Sequence, residues 1–294
     1  SIIKAIILGI VQGITEFLPI SSSGHLSLFQ HWLGVGGDTS LLFSVLLHMG
    51  TLAAVFIVYY ETIWDLVLEF IAMVKDIVHG KFKYKQIKGN RRMLVMFFFS
   101  CLPLLLLLIP IGDGQTVMDF FKRFSEDTSI LAEGFCFLFT AVLLLAGART
   151  AQIRKNGRKV NTIDAVFIGI AQAVAALLPG VSRSGSTIST GLMCGISKDY
   201  MVKYSFILGI PAILAANVME LKDAVEAGEK FDFLPAFIGI VIAAVVGVLC
   251  IKLLQVLLKK DMFKYFGYYC LALGGITIII GLIEKFAGVY IGIQ

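Results

Sequence analysis

Charged residues are scarce in this chain. Only 15% of its 294 residues are Asp, Glu, Lys or Arg, whereas 58% are hydrophobic, and the mean hydropathy is +0.89. Soluble domains carry about 25% charged residues, so this composition excludes a soluble, disordered or collagen-like chain. Apolar runs such as 93–112 and 233–258 reach or exceed the roughly 20 residues that a helix needs to cross a bilayer. The sequence therefore predicts a polytopic membrane protein.

Cysteine is also rare, and its five occurrences follow no metal-binding or disulfide pattern. Each lies alone in an apolar stretch, without the C-x-x-C spacing of a zinc site. We expect five thiols that pack as small hydrophobic side chains. The alternation of apolar and polar residues that marks a membrane β-strand is missing as well. The expected fold class is therefore all-α. The cysteines are Cys101, Cys136, Cys194, Cys250 and Cys270.

Basic residues are unevenly distributed among the polar connections. Segment 75–92 contains seven Lys and Arg against one acid, 149–159 contains five and no acid, and 259–264 contains three against one. By contrast, 113–127 and 222–232 each contain four acids against two basic residues. Because cytoplasmic loops are enriched in Lys and Arg, the first three connections are predicted to be cytoplasmic and the last two to face outward.

About six transmembrane helices are expected between these connections, with both termini outside. Two further segments, 2–32 and 162–196, are each broken in the middle by a proline and a Ser/Gly cluster, and the charge pattern requires each to enter and leave on the same side. They are predicted to be re-entrant helix pairs. Segment 61–78 is ambiguous, because it is amphipathic enough to lie along the interface. The expected crossings are 41–60, 93–112, 130–148, 200–220, 233–258 and 265–282.

The two broken segments resemble each other. GIVQGITEFLPISSSGH, from Gly9, aligns with GIAQAVAALLPGVSRSGS, from Gly169, with one residue inserted after the proline. This match predicts duplication within a single membrane domain (1–294), with copies at 1–148 and 160–294. The loop charges predict that the first copy begins on the outer side and the second on the inner side. The repeat is therefore expected to be inverted. Such folds place their broken helices face to face near the midplane, and the two Ser/Gly loops are therefore expected to meet.

Charged and ionisable side chains mark both breaks. The first carries Glu16 and His25, and the second carries Arg183. A charge at membrane depth costs about 3 kcal/mol on insertion scales, which favours a functional role. Backbone amides and helix starts attract anions, and the guanidinium fork of arginine suits a pair of phosphate oxygens. The sequence therefore predicts an anion site, with a preference for phosphate, where the breaks meet.

Structural explanations for the same residues stay open. Arg183 and Glu16 could form an ion pair that only holds the halves together, and His25 could be a satisfied interfacial histidine. Any single serine of the breaks could merely bond to the backbone, as serines in membrane helices often do. His48, inside an apolar run, is interpreted as a buried, hydrogen-bonded residue.

The run QGITEFLPISSSGH together with PGVSRSGST resembles the paired signature of the undecaprenyl-diphosphate phosphatases, the bacterial bacitracin-resistance family. The resemblance covers nearly the whole chain. It implies hydrolysis of undecaprenyl diphosphate to undecaprenyl phosphate and inorganic phosphate, with the active site opening toward the outer face of the bacterial plasma membrane and a divalent cation, Mg²⁺ or Ca²⁺, assisting. In family terms Glu16 closes an E/Q-x-x-x-E motif whose first position is Gln12 here, and both are expected near the metal.

The catalytic candidates are Glu16, Ser22, His25 and Arg183. Phosphoryl transfer depends mostly on positioning and electrostatics, so Arg183 and loop amides would clamp the diphosphate. Ser22 with His25 as its base is the favoured nucleophile, while His25 itself and metal-activated water stay open. The polar groups of the breaks expected to bind substrate are Gln12, Ser21, Ser23, Gly24, Ser182, Ser184, Gly185 and Thr187.

A function from another class is also open. Inverted repeats with paired re-entrant loops are a transporter architecture, so a lipid-phosphate flippase or another transporter is the alternative. The expected partners are a polyprenyl diphosphate substrate and membrane lipids, without nucleic acid. A homodimer is compatible with the sequence.

Overall fold

The computed structural model describes residues 2–32, 41–112, 115–118, 130–154, 157–178, 180–228 and 232–288. Within these ranges helix dominates, with one 3₁₀ turn (Tyr84–Gln86) and one short hairpin of two antiparallel strands, β1 (Pro110–Gly112) and β2 (Gln115–Thr116). The helices are α1 (Ile2–Phe17), α2 (Ser22–Trp32), α3 (Leu41–Val78), α4 (Gly89–Leu106), α5 (Leu131–Ile153), α6 (Thr162–Leu177), α7 (Arg183–Met193), α8 (Lys198–Glu226), α9 (Phe233–Lys259) and α10 (Lys264–Ala287).

Six helices of the described residues are long and apolar enough to cross a membrane, namely α3, α4, α5, α8, α9 and α10. Each of the six expected crossings falls on one of them, which confirms the all-α, multi-pass membrane fold. One boundary differs, because the crossing expected over 93–112 ends as helix at Leu106. Pro110 lacks the amide hydrogen that a continuing helix needs, and the chain turns there into β1. Pro103 lies within α4 and does not end it. The five cysteines are free and buried or half-buried.

Segment 61–78, which the sequence left ambiguous, continues α3 beyond its crossing. The helix has 38 residues, or about 57 Å at 1.5 Å per residue, nearly twice the thickness of a hydrocarbon core. Its backbone leaves helical geometry at Tyr59, with φ −114° and ψ 22°. Beyond this kink Glu69 and Asp76 form ion pairs with Arg91 near the start of α4, the second at 2.6 Å. These charged contacts fix the long extension against the basic connection.

Both broken segments form pairs of helices that are capped alike. In the first, residues 18–21 separate α1 from α2, and the Ser21 hydroxyl accepts a hydrogen bond from the Gly24 amide at 3.2 Å. In the second, residues 178–182 separate α6 from α7, and the Ser182 hydroxyl accepts from the Gly185 amide at 3.0 Å. These are the positions that the sequence alignment pairs. Pro179, the second proline of that alignment, lies outside the described residues.

The packing of the first helix of each broken segment also agrees with the predicted duplication. The first helix of the first half, α1, packs along α9, and the first helix of the second half, α6, packs along α4. Gly9 in α1 approaches the Gly239 carbonyl of α9 so closely that an added Cβ would lie 2.8 Å from it, and its aligned partner Gly169 lies directly against Ser100 of α4. Each half thus packs its first helix against the other half. This supports the inverted repeat with copies at 1–148 and 160–294, which stays a prediction, as do the re-entrant path of each pair and the side on which the termini lie.

Candidate active site

The two breaks meet inside the protein. Nη2 of Arg183 donates a hydrogen bond to Oε1 of Glu16 at 2.7 Å, and the Gly180 amide donates to the Ser23 hydroxyl at 3.1 Å. A Cβ built on Gly185 would lie 3.2 Å from the carbonyl oxygen of Pro19. Residues about 160 positions apart therefore share one polar site, as expected from the repeat.

Glu16 is the centre of this site. It lies in the last turn of α1 and is 8% exposed, and its two carboxylate oxygens accept from different partners. Oε1 accepts from Arg183, whereas Oε2 accepts from the Ser22 hydroxyl at 2.7 Å and from Nε2 of Gln12 at 3.2 Å. A carboxylate this deeply buried needs such partners, since removing it from water unpaired would be very costly.

His48 joins this site, although no sequence motif predicts it there. Its Nδ1 donates to the Ser44 carbonyl in the preceding turn of α3 at 2.9 Å, as a satisfied core histidine would. Its Nε2, however, lies 3.9 Å from Oε2 of Glu16. The side chain comes from a helix that carries no motif, so only the tertiary fold brings it to the carboxylate.

The guanidinium of Arg183 fits against a glycine of another helix. Arg183 begins α7, and its Nη1 lies so close to Gly209 of α8 that any Cβ at that position would overlap it. This same Nη1 is buried and has no hydrogen-bond partner among the described residues. It is therefore a donor that a bound phosphate oxygen could satisfy. Gly209 is another residue that the sequence analysis missed, because the chain has 29 glycines and nothing local distinguishes this one.

Several hydroxyls predicted to bind substrate already bond to the protein. Ser21 and Ser182 cap α2 and α7. The Thr187 hydroxyl donates to the Arg183 carbonyl at 3.0 Å and accepts from the Ser205 hydroxyl at 2.6 Å. Ser184 lies 3.4 Å from Ser182, hydroxyl to hydroxyl. These contacts stabilise the backbone of the breaks. The hydroxyls therefore have a structural role, which is compatible with a further contact to substrate.

His25 lies one turn after Ser22 on α2, but its ring nitrogens have other partners. Nδ1 is 2.7 Å from the Ser21 carbonyl oxygen, and Nε2 is 2.7 Å from the hydroxyl of Tyr269 on α10. Among the described residues, the hydrogen bond of the Ser22 hydroxyl goes to Glu16 instead. The expected contact between nucleophile and histidine base is thus not formed in this arrangement. The sequence analysis did not predict Tyr269, because α10 carries no motif.

The oxygen atoms beside Glu16 suit a hard divalent cation. Oε1 of Gln12 is buried and has no hydrogen-bond partner among the described residues, and it belongs to the side chain next to the carboxylate. No group of three or more His, Cys, Asp or Glu is gathered in the part of the chain that the structure describes. A cation held here would take much of its coordination from phosphate oxygens and water, as Mg²⁺ commonly does. The donor types therefore fit, and the metal stays a prediction.

Together these features define the class: a multi-pass membrane protein in which a buried acid and histidine meet a half-buried serine and arginine at the junction of two broken helices. Residues 5–276 match the family described as Bacitracin resistance protein BacA, and the chain belongs to this family.

Relatives of this family match over almost their whole length. The chain is 40% identical to an undecaprenyl-diphosphatase of Alkaliphilus metalliredigens over 284 residues, which cover 95% of this chain and 98% of the relative. It is 37% identical to the protein of the same name from Halothermothrix orenii, with the same two shares. It is 35% identical to that of Methanosphaera stadtmanae, over 96% and 99%.

Proposed function

We propose that this protein is an undecaprenyl-diphosphatase, which hydrolyses undecaprenyl diphosphate to undecaprenyl phosphate and inorganic phosphate. Family membership and the names of the relatives support this function. The observation that carries it is the convergence of Arg183, Glu16 and Ser22 within hydrogen-bond distance at the junction of the two breaks. The cation would bind the phosphates of a lipid diphosphate, while the hydroxyl would attack the phosphorus and the acid would accept its proton. The same names give no support to the flippase alternative.

The diphosphate would bind where the N-termini of α2 and α7 meet. α2 begins at Ser22 and α7 at Arg183, so both present backbone N–H groups and the positive end of a helix dipole to the junction. Arg183 adds its unpaired Nη1, and the apolar helix surfaces around the junction accommodate the prenyl tail without polar contacts. The substrate phosphate would compete with Glu16 for the guanidinium.

The hydrogen bond of Ser22 supports a covalent route in which Glu16 accepts the serine proton. Oγ of Ser22 would attack the terminal phosphorus, the bond from that phosphorus to the bridging oxygen would break, and undecaprenyl phosphate would leave. Oε2 of Glu16, 2.7 Å from Oγ, is the nearest base for the proton. Water would then hydrolyse the phosphoserine to release inorganic phosphate. His25, three residues on and hence on the same face of α2, would act as base for this water.

A divalent cation would be held by Glu16 and the amide oxygen of Gln12. When bound, Mg²⁺ or Ca²⁺ would neutralise part of the charge on the diphosphate. Gln12 supplies a neutral oxygen where a glutamate would supply an anion, so the residues beside the phosphates would carry a single negative charge that Arg183 balances.

The cellular setting follows from the reaction and the loop charges. We place the protein in the bacterial plasma membrane, with its active site opening to the outer face and both termini outside, where it recycles the carrier lipid of peptidoglycan synthesis and confers bacitracin resistance. The six membrane-crossing helices expose apolar side chains that suit contact with lipid or with a second copy. A homodimer is proposed on this basis, and the mass of the detergent-solubilised protein tests it.

Phosphate release from undecaprenyl diphosphate by the purified protein in detergent, with and without added Mg²⁺, tests the proposed function. Ser22→Ala is expected to lower kcat at least about a hundredfold because it removes the nucleophile. Ser27→Ala is the matched control, since Ser27 lies on the same helix and bonds to Glu133 at 2.7 Å instead. Acid quenching with labelled substrate should trap phosphoserine in the native protein. No release above background by the native protein would overturn the proposal.

A further inference from the structure

We infer that Tyr269 acts through His25, holding the imidazole in one orientation and linking its Nε2 to the water that hydrolyses the phosphoserine. The inference rests on the proposed function, in which His25 acts next to the phosphoryl group. It extends that function to α10, which carries none of the motifs. The observation is the 2.7 Å hydrogen bond between the Tyr269 hydroxyl and Nε2 of His25.

The other ring nitrogen determines the tautomer. Nδ1 of His25 lies 2.7 Å from the carbonyl oxygen of Ser21, and a carbonyl can only accept a hydrogen bond. Nδ1 therefore carries a hydrogen, and in the neutral ring Nε2 carries the lone pair. It follows that the Tyr269 hydroxyl donates to Nε2, the one nitrogen that is able to take up a proton. A proton from the attacking water would therefore reach Nε2 through this hydroxyl, which would give its own proton to Nε2 and take one from the water.

Two aromatic rings also pack against the imidazole. The ring of Tyr269 is nearly parallel to that of His25, at 7° with 5.7 Å between centroids, and Phe137 of α5 meets it edge-on at 84° and 5.2 Å. Helices α5 and α10 pack closely along each other, so both aromatic rings stand on one rigid unit. His25 is therefore oriented by α5 and α10 and not by its own helix alone.

A phenol is suited to a partner that gains and loses a proton. Its hydroxyl donates to the neutral imidazole and, after rotation, accepts from the N–H of the imidazolium. The contact thus survives both protonation states that a base passes through. Replacement by phenylalanine removes this hydroxyl alone and keeps the stacked ring, which separates hydrogen bonding from packing.

Steady-state phosphate release by Tyr269→Phe in detergent tests the inference. We expect kcat to fall about tenfold with KM within twofold of the native value, because the phenol acts on the chemical step and not on lipid binding. Tyr268→Phe is the matched control and should stay within twofold. It is the neighbouring tyrosine, is 52% exposed and packs against the ring of Tyr265.

A double-mutant cycle with His25→Ala separates positioning from a structural role. If Tyr269 acts through His25, Tyr269→Phe has no further effect on kcat in the His25→Ala background. A kcat for Tyr269→Phe that is within twofold of native or higher, or an effect that persists without His25, overturns the inference. Thermal unfolding of each variant in detergent should stay near native, and a tenfold loss that tracks reduced stability also counts against it.

These outcomes leave the proposed function separately testable. A native protein that releases phosphate and loses activity in His25→Ala, but not in Tyr269→Phe, keeps the phosphatase and discards the role of Tyr269. A native protein without phosphatase activity discards both.

Discussion

The two breaks have the same backbone design but opposite chemistry. Both end one helix, cap the next with a serine that accepts from a glycine amide, and pack their first helix against the other half of the protein. In the alignment, however, Glu16 corresponds to Ala176, and Ser22 corresponds to Arg183. The first break therefore supplies the acid and the hydroxyl, and the second supplies the cation. Two breaks with the same backbone design thus form a site with one positive and one negative side, because a few of their side chains differ.

Removing or exchanging the charges of the two breaks gives the largest expected effect on activity. Arg183→Ala and Glu16→Gln should each lower kcat/KM for phosphate release at least about a hundredfold, since each removes a group that meets the phosphates or the serine proton. The double variant Glu16→Arg, Arg183→Glu restores an ion pair between the breaks and should stay inactive. Recovery of activity in this exchange would mean that the pair only holds the halves together.

Filling the space beside the cation of the second break should give a smaller effect. Gly209→Ala places a methyl group where Nη1 of Arg183 lies, so the guanidinium must shift, and we expect a loss of at least about tenfold in kcat/KM. Gly275→Ala on α10 is the control, because nothing lies within 4 Å of its added Cβ. Equal phosphate release by the two variants would show that the position of the guanidinium is not critical.

Replacing either capping serine should lower stability by a similar amount, because the two breaks have the same cap. Ser21→Ala and Ser182→Ala each remove a helix N-cap and should lower stability by about 1 kcal/mol, or about 2 °C in Tm, measured by thermal unfolding in detergent. Ser182→Thr retains the cap and should recover much of the loss. A strong fall in activity at unchanged Tm would instead assign the serine hydroxyl to substrate binding.

Much of the fold could be predicted because lipid imposes simple rules on sequence. The crossings are apolar runs of bilayer length, and the breaks stand out as prolines and Ser/Gly clusters within such runs. The extension of α3 past Tyr60 could not be assigned in this way, because its amphipathic pattern suits an interfacial helix equally well. Its ion pairs with Arg91 depend on where α4 begins.

Only part of the candidate site could be predicted from the sequence. Glu16, Ser22, His25 and Arg183 lie within two motifs, so their proximity followed from the repeat. His48, Gly209 and Tyr269 come from helices without a motif, and each reaches the site through tertiary packing that no local pattern encodes. For the same reason the partner of the Ser22 hydroxyl, Glu16 and not His25, could not be chosen from sequence.

The ion pair between Arg183 and Glu16 also bears on biogenesis. Its two members lie 167 positions apart and are both largely buried, so an early or a late part of the chain made alone would hold one of these charges without the other. The early half must therefore wait for the late half before its carboxylate is neutralised. Co-expressed halves should consequently protect each other from degradation, whereas either fragment by itself should be removed by membrane quality control.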